Sequence, residues 1–133
     1  MAGGTARARV AVGGIVTRRS ETAIQRDIEL ALGSEPDLLV IRNSVGVARH
    51  HTDDGRAYTV PYGLGVGSPD LVGLLRGEDG QARWFCLEIK ADGGRVSAEQ
   101  EKCHRVWRSF GAFVAVVRSV DEARSALREA RRR

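Results

Sequence analysis

Two acidic residues and one lysine lie at the ends of two neighbouring apolar segments. Asp70 precedes the segment LVGLL, and Glu88 and Lys90 end the segment RWFCLEIK. The turn sequence GEDGQ separates the two segments, so a hairpin through it would bring Asp70 and Glu88 to one end. Because side chains alternate along a strand, Glu88 and Lys90 share one face and Ile89 lies on the other.

This combination suits hydrolysis of a phosphodiester. Two carboxylates attract a hard cation such as Mg²⁺ or Mn²⁺, and the backbone carbonyl of Ile89 could add a ligand. Such an ion neutralises a phosphate and lowers the pKa of a bound water. Lys90 could hold the attacking water or offset charge that develops on the phosphate. Short patterns of this kind also arise by chance, so the surrounding elements must carry part of the argument.

Helix signals occur at three places in the chain. Ser20 is a preferred N-cap residue, and Gly33 is expected at the C′ position that ends this first helix. Ser97 with Gln100, and Ser119 with Glu122, predict two further helices that begin with capping boxes. The intervening apolar segments predict strands at 37–43 (buried), 57–61, 71–75, 83–90 and 112–117, while residues 44–56 are polar and turn-rich. The order indicates an α/β fold with a mixed central sheet flanked by helices.

Composition narrows the class of protein. The 133 residues suffice for one domain, and the net charge of +4 favours a polyanionic partner. Aromatic residues make up only 5% and do not alternate with basic ones as in a single-strand stacking surface.

No apolar run reaches the roughly 20 residues that span a membrane. Two cysteines do not form a disulfide framework, so we expect an intracellular protein with reduced thiols. Residues 1–19 are interpreted as a basic, flexible arm.

Several other residues allow two interpretations. Gln100 could serve only the cap of its helix, or could also lie near the site. Glu21 is a favourable acid in a first helical turn. The glycines at 63, 65 and 67 could admit a nucleic-acid backbone or only shape a turn, and Ser68 could do either. A zinc site built from His50, His51, Cys86, Cys103 and His104 matches no known zinc spacing.

The segments around these residues resemble a known family. The segments SPDLVG and LEIK are similar to the signature of the PD-(D/E)XK nucleases. The wider set SETAIQRDI, IRNSVG, GVGSPDLVG, LEIKADGGRVSAEQ and GAFVAVVRSVDEA resembles the VRR-NUC family, particularly its short stand-alone phage and bacterial members. The resemblance runs from about Ser20 to Ala123, which is most of the chain.

The resemblance implies a fold and a set of roles. It implies a restriction-endonuclease-like core in α-β-β-β-α-β-α order, as a single domain over residues 20–133. Asp70 and Glu88 match the principal metal ligands, Glu21 a further metal-holding acid, Lys90 the catalytic lysine and Gln100 a recurrent site glutamine. Arg42 and Asn43 belong to the similar segments and are candidates, with Ser68, for contact with DNA or for organising the site.

The resemblance also implies an activity and its setting. The expected protein is a Mg²⁺- or Mn²⁺-dependent DNA endonuclease of the bacterial cytoplasm, cutting Holliday junctions or other branched DNA as a homodimer. Two alternatives stay open at this point. One is a catalytically inactive DNA-binding accessory protein of the same fold, and the other is a restriction-type or flap nuclease.

Overall fold

The computed structural model describes residues 19–133. The predicted N-terminal arm falls on residues 1–18, which lie outside the described part, and on Arg19, which forms an ion pair with Asp27. The described elements, in chain order, are α1 (Glu21–Gly33), β1 (Leu38–Arg42), β2 (Gly46–His51), β3 (Ala57–Tyr62), β4 (Leu71–Arg76), β5 (Ala82–Ile89), α2 (Ala98–Ser109), β6 (Phe113–Val117) and α3 (Val120–Arg132).

Four of the strands form a mixed central sheet. Their order is β1-β4-β5-β6, with β1, β4 and β5 antiparallel to their neighbours and β6 parallel to β5. The crossover from β5 to β6 passes through α2, as a parallel connection requires. With the separate β2–β3 hairpin set aside, the elements follow the predicted order α-β-β-β-α-β-α, and the α/β fold with a mixed sheet is confirmed.

The core lies on both sides of β5. The alternating residues Phe85, Leu87 and Ile89 pack on one side against apolar residues of α1 and α3. Cys86 lies on the opposite side, in a smaller cluster with Val72 and Val114 that Trp107 of α2 helps to cover. A strand covered on both faces places whatever polar side chains it carries in a water-poor setting.

The hairpin β2–β3 corrects one prediction. Residues 44–56 were expected to be turn-rich, but Gly46–His51 form a strand that pairs antiparallel with Ala57–Tyr62. The polar letters ARHH conceal this strand. No helix or strand within residues 19–133 packs against the hairpin, so neither of its strands has a buried residue and no apolar face marks it in the sequence. The Gly55 backbone, at φ +88°, shapes its turn.

Strand β1 is less buried than its sequence predicts. Leu38 and Val40 pack toward the core, but Leu39 and Ile41 are exposed on the other face. The strand lies at the sheet edge, where α2 does not reach across to cover it. An apolar composition alone does not distinguish such an edge strand from a central one.

The helix ends match the predictions in part. Ser20 caps α1 as expected, but Gly33 stays inside the helix and the C-cap is Ser34 in a right-handed conformation. Ser97 and Gln100 form the complete capping box of α2. In α3 the Ser119 hydroxyl accepts from the Glu122 amide, whereas the Glu122 carboxylate accepts from Arg118 rather than from Ser119. The second predicted box is therefore only half formed.

None of the helices described in residues 19–133 is long and apolar enough to cross a membrane.

Candidate active site

The pairing of β4 with β5 brings the two predicted carboxylates together. The register pairs Leu71 with Leu87, so one residue further Asp70 lies across from Glu88. The Asp70 Oδ2 atom accepts a hydrogen bond of 2.7 Å from the backbone N–H of Ile89. This bond holds the Asp70 side chain against the end of β5, beside Glu88.

Glu88 is a buried acid held by two side chains of α2. It is only 1% exposed. Its Oε2 atom accepts from Gln100 Nε2 at 3.1 Å, and its Oε1 atom lies 3.2 Å from His104 Nε2. No lysine or arginine of residues 19–133 lies within ion-pair distance of Asp70 or Glu88. Within residues 19–133, no arginine or lysine ion pair therefore balances the two neighbouring carboxyl groups.

The electrostatics of Glu88 follow from this burial. Desolvation is the largest cause that raises the pKa of Glu88, to about 9, followed by the hydrogen bond and the charge of Asp70. Lys90 opposes the shift and Glu21 adds weakly to it. Without a cation, this raised pKa favours the protonated form of Glu88 at neutral pH. A cation bound between the two acids would displace that proton.

Lys90 lies where strand alternation predicts. It is 8% exposed and follows β5, with its backbone N–H donating 3.0 Å to the carbonyl of Val117. Ile89, between Lys90 and Glu88, packs into the opposite core. The amine thus belongs to the same side of the sheet as Glu88.

Gln100 both caps its helix and contacts Glu88. Its Oε1 atom accepts the Ser97 backbone N–H at 2.9 Å, so its amide NH₂ group is turned toward Glu88. The two roles left open by the sequence are therefore compatible. The capping bond orients the amide that serves the carboxylate.

Asn43 ties the segment before Asp70 to the sheet. Its Nδ2 donates to Ser68 Oγ and to the Pro69 carbonyl, both at 2.7 Å, and its Oδ1 accepts the Leu64 N–H at 3.0 Å. Its backbone N–H donates to the Asp70 carbonyl at 2.9 Å. Ser68 in turn donates to the Gly65 carbonyl at 2.6 Å. Both residues contact this loop, so they are placed to organise the site.

The glycine loop 63–67 folds against its own chain. Gly63, Gly65 and Gly67 all have positive φ. A Cβ atom at Gly63 would lie 2.3 Å from the Ser44 carbonyl, and one at Gly67 would lie 2.8 Å from the Glu99 carbonyl. Only Gly65 faces open space among the three. Close packing against the chain itself therefore explains why positions 63 and 67 carry glycine.

Arg42 and Glu21 lie to the sides of this group. The Arg42 guanidinium forms a bidentate contact with Glu29 of α1, at 3.1 and 2.6 Å. Glu21 is exposed in the first turn of α1, beside the loop after Lys90, where a Cβ at Gly94 would lie 3.5 Å from its Oε2. The site proper is therefore formed by Asp70, Glu88 and Lys90, with Glu21 at its margin.

The donor set fits a hard divalent cation with few protein ligands. Residues 19–133 contain no cluster of three or more His, Cys, Asp or Glu side chains with metal-binding geometry. Mg²⁺ commonly takes only one or two carboxylates and keeps several waters. The adjacent acids Asp70 and Glu88, which have no arginine or lysine ion pair within residues 19–133, meet that requirement.

His104 contacts Glu88, which the sequence does not predict. The sequence suggests only a zinc site for His104, but the side chain lies on Glu88 and is 2% exposed. Its spacing of four residues from Gln100 places both on one face of α2, which is the signal that could have identified it. His50 instead stacks on Tyr58 in the hairpin. Cys86, two residues before Glu88, is buried, and desolvation raises the pKa of its thiol to about 12.

The fold and the site together define a class of protein. A mixed four-stranded sheet between helices is consistent with a restriction-endonuclease-like core, and it brings two acids and a lysine to one place. Residues 56–121 match the family model of the VRR-NUC domain, and the chain belongs to this family of nuclease domains. The matched segment contains Asp70, Glu88, Lys90 and Gln100. The searches of curated proteins and of solved structures gave no significant match.

Proposed function

We propose that this protein is a divalent-metal-dependent DNA endonuclease with Asp70, Glu88 and Lys90 as its catalytic centre. The observation that carries the proposal is the buried Glu88 carboxyl beside Asp70, without an arginine or lysine ion pair among the described residues. Buried acids are normally paired with a cation. Membership of a nuclease family agrees with a cation at this position.

The proposal assigns the residues as follows. Asp70 and Glu88 would hold Mg²⁺ or Mn²⁺, with Glu21 and the Ile89 carbonyl as further ligands. The bound ion would supply Lewis acidity and a more acidic water. Lys90 would hold the attacking water or stabilise charge on the scissile phosphate. Gln100 would keep Glu88 in its ligand orientation.

DNA would approach across the loop and strand end beside Asp70. Asn43 and Ser68 organise that loop and are the proposed contacts or supports there, while Arg42 would reach phosphate by exchanging its partner Glu29. Guanidinium groups bind carboxylate and phosphate through the same bidentate geometry. The exchange is therefore chemically reasonable.

The proposed substrate is branched DNA, with the Holliday junction first. A symmetric junction requires two cuts, whereas residues 19–133 contain one candidate site, so a homodimer is part of the proposal. The β2–β3 hairpin supports an interface of some kind, since Val47 is 64% exposed on an element that packs against no other described element. The proposed location is the bacterial cytoplasm, which a DNA substrate and the free thiols of Cys86 and Cys103 support.

The test is cleavage of a labelled four-way junction, with a flap, a fork and a linear duplex for comparison, in Mg²⁺, Mn²⁺ and Ca²⁺. We expect Asp70→Asn and Lys90→Ala to lose at least about 100-fold in rate, in the range of other electrostatic catalytic groups. Lys102→Ala, at the only other lysine, is the matched control. Variants that cut as well as the wild type would refute the assignment.

The same substrates separate the alternatives. Tight binding of the junction without cleavage in any of these metals would indicate an inactive accessory protein. Preferred cleavage of the flap or of the linear duplex would indicate a flap or restriction-type nuclease instead. Light scattering of the purified chain, with and without junction, measures whether it is a dimer.

A further inference from the structure

We propose that His104 is a positioning residue for Glu88, so that α2 fixes both oxygens of this carboxylate. The inference rests on the proposed metal-binding role of Glu88 and extends it to a residue with no assigned part. His104 and Gln100 lie four residues apart on α2 and approach opposite oxygens of the same group.

The geometry restrains every rotation of the Glu88 carboxylate. Gln100 Nε2 donates to Oε2 at 3.1 Å, and His104 Nε2 lies 3.2 Å from Oε1. A rotation of the carboxylate moves both oxygens, so it disturbs both contacts. When Glu88 is ionised it has no proton to give, so the His104 contact then requires the hydrogen on Nε2.

Burial makes this contact specific. Glu88 is 1% and His104 2% exposed, so water does not readily replace a lost donor. A carboxylate oxygen can accept more than one contact, so an ionised Glu88 could bind a metal ion while it keeps both α2 partners. Partners of this kind hold a ligand in its binding orientation, and their removal typically costs 10–100-fold in metal affinity or activity.

The position of His104 argues against its acting directly on substrate. It lies on α2, beneath Glu88, and is almost completely buried. A general base must reach the water or hydroxyl from which it takes a proton. The polar contact of His104 is Glu88, and a positioning role follows from that contact.

Substitutions at His104 that differ in side-chain length can separate hydrogen-bond donation to Glu88 from packing. In His104→Gln the amide nitrogen can occupy the place of Nε2, whereas His104→Asn carries its amide nearer the backbone. His104→Leu fills space but has no donor. Arg105→Ala, at the next and exposed residue of α2, is the matched control. Thermal melts without metal establish that each variant folds.

The experiment is calorimetric titration of the full chain with Mn²⁺ in the absence of DNA. We expect His104→Leu and His104→Asn to bind Mn²⁺ about 10–100-fold more weakly than the wild type. His104→Gln should stay within about threefold, and Arg105→Ala should match the wild type. If His104→Leu does not fold, His104→Asn alone decides.

Two results overturn the inference. Unchanged Mn²⁺ affinity in His104→Leu or His104→Asn would show that Glu88 does not need this donor. Equal weakening in His104→Gln would show that the ring shape, not hydrogen-bond donation, matters. A wild-type protein that binds no Mn²⁺ would instead refute the proposed function, and the inference with it.

Cleavage kinetics give a second readout. A positioning role predicts a higher Mg²⁺ concentration for half-maximal cleavage in His104→Leu, with the rate at saturating Mg²⁺ within a few-fold of the wild type. A large loss of rate at saturating Mg²⁺ together with normal Mn²⁺ binding would contradict that role.

Discussion

Glu88 differs from the other two acids of the candidate site in its surroundings. It is buried, lies beside Asp70 and touches two residues of α2. Burial and the neighbouring Asp70 raise its pKa, and Gln100 donates a hydrogen bond to it. A group in this state stores electrostatic free energy that a bound cation would release.

The raised pKa of Glu88 predicts how the stability of the metal-free protein depends on pH. The folded state holds a proton up to about pH 9, whereas the unfolded chain releases it near 4.5. The folded state binds more protons between these values, so its free energy of unfolding falls as the pH rises through that window.

Glu88→Gln removes this titration. We expect the variant to exceed the wild type in stability by at least about 1 kcal/mol at pH 8 in EDTA, with the difference vanishing below about pH 4.5. Urea melts at several pH values measure it. Glu78→Gln, on the exposed turn before β5, is the control. A constant difference at every pH would mean that Glu88 titrates normally.

At the scale of elements, the start of α2 lies between two parts of the site, Glu88 and the glycine loop that precedes Asp70. The capping box begins α2 and turns the Gln100 amide toward the site. The loop 63–67 contacts Glu99 at the same helix start. The start of α2 therefore contacts both Glu88 and the loop that precedes Asp70.

Gln100 variants separate the cap from the site. Gln100→Glu keeps an oxygen for the Ser97 N–H but turns a carboxylate toward Glu88, whereas Gln100→Ala loses both contacts. We expect both to lose roughly 10-fold or more in Mn²⁺ affinity. Ser119→Ala removes the cap of α3, away from the site, at a cost of about 1 kcal/mol and without loss of Mn²⁺ binding. Normal Mn²⁺ binding by Gln100→Glu would mean that Gln100 serves only to cap α2.

The glycine loop offers a matched pair. Gly67→Ala combines a left-handed backbone, φ +84°, with a Cβ only 2.8 Å from the Glu99 carbonyl, whereas Gly65→Ala has φ +101° and open space. Both should destabilise the fold by about 1 kcal/mol or more, Gly67→Ala more strongly because its clash is with backbone. Chemical denaturation compares them. Equal losses would show that the clash relaxes without cost.

At the scale of the whole molecule, positive charge is distributed unevenly along the sequence. Residues 1–18 contain three arginines and no acid, so the rest of the chain carries a net charge of only +1. Binding to a phosphate backbone depends on such cations and weakens with salt. Affinity for DNA and the chemistry of the site should therefore be separable.

Replacing arginines 7, 9 and 18 with glutamine tests this separation. We expect weaker junction binding and a shallower salt dependence, by about 0.9 in log–log slope for each arginine that contacts a phosphate. The cleavage rate at saturating DNA should stay within a few-fold of the wild type. Fluorescence anisotropy in Ca²⁺ from 50 to 200 mM salt gives the slope, and an unchanged slope would exclude a phosphate-binding arm.

The sequence by itself determined the elements of the sheet and the candidate trio. Alternation along RWFCLEIK fixed the shared face of Glu88 and Lys90, and the turn GEDGQ fixed their approach to Asp70, because both are local properties of the backbone. Only the tertiary structure decided which helix covers that face. It brought His104 onto Glu88, turned Arg42 toward Glu29 and left the β2–β3 hairpin apart from the core. These outcomes depend on contacts between residues distant in sequence, which local periodicity does not encode.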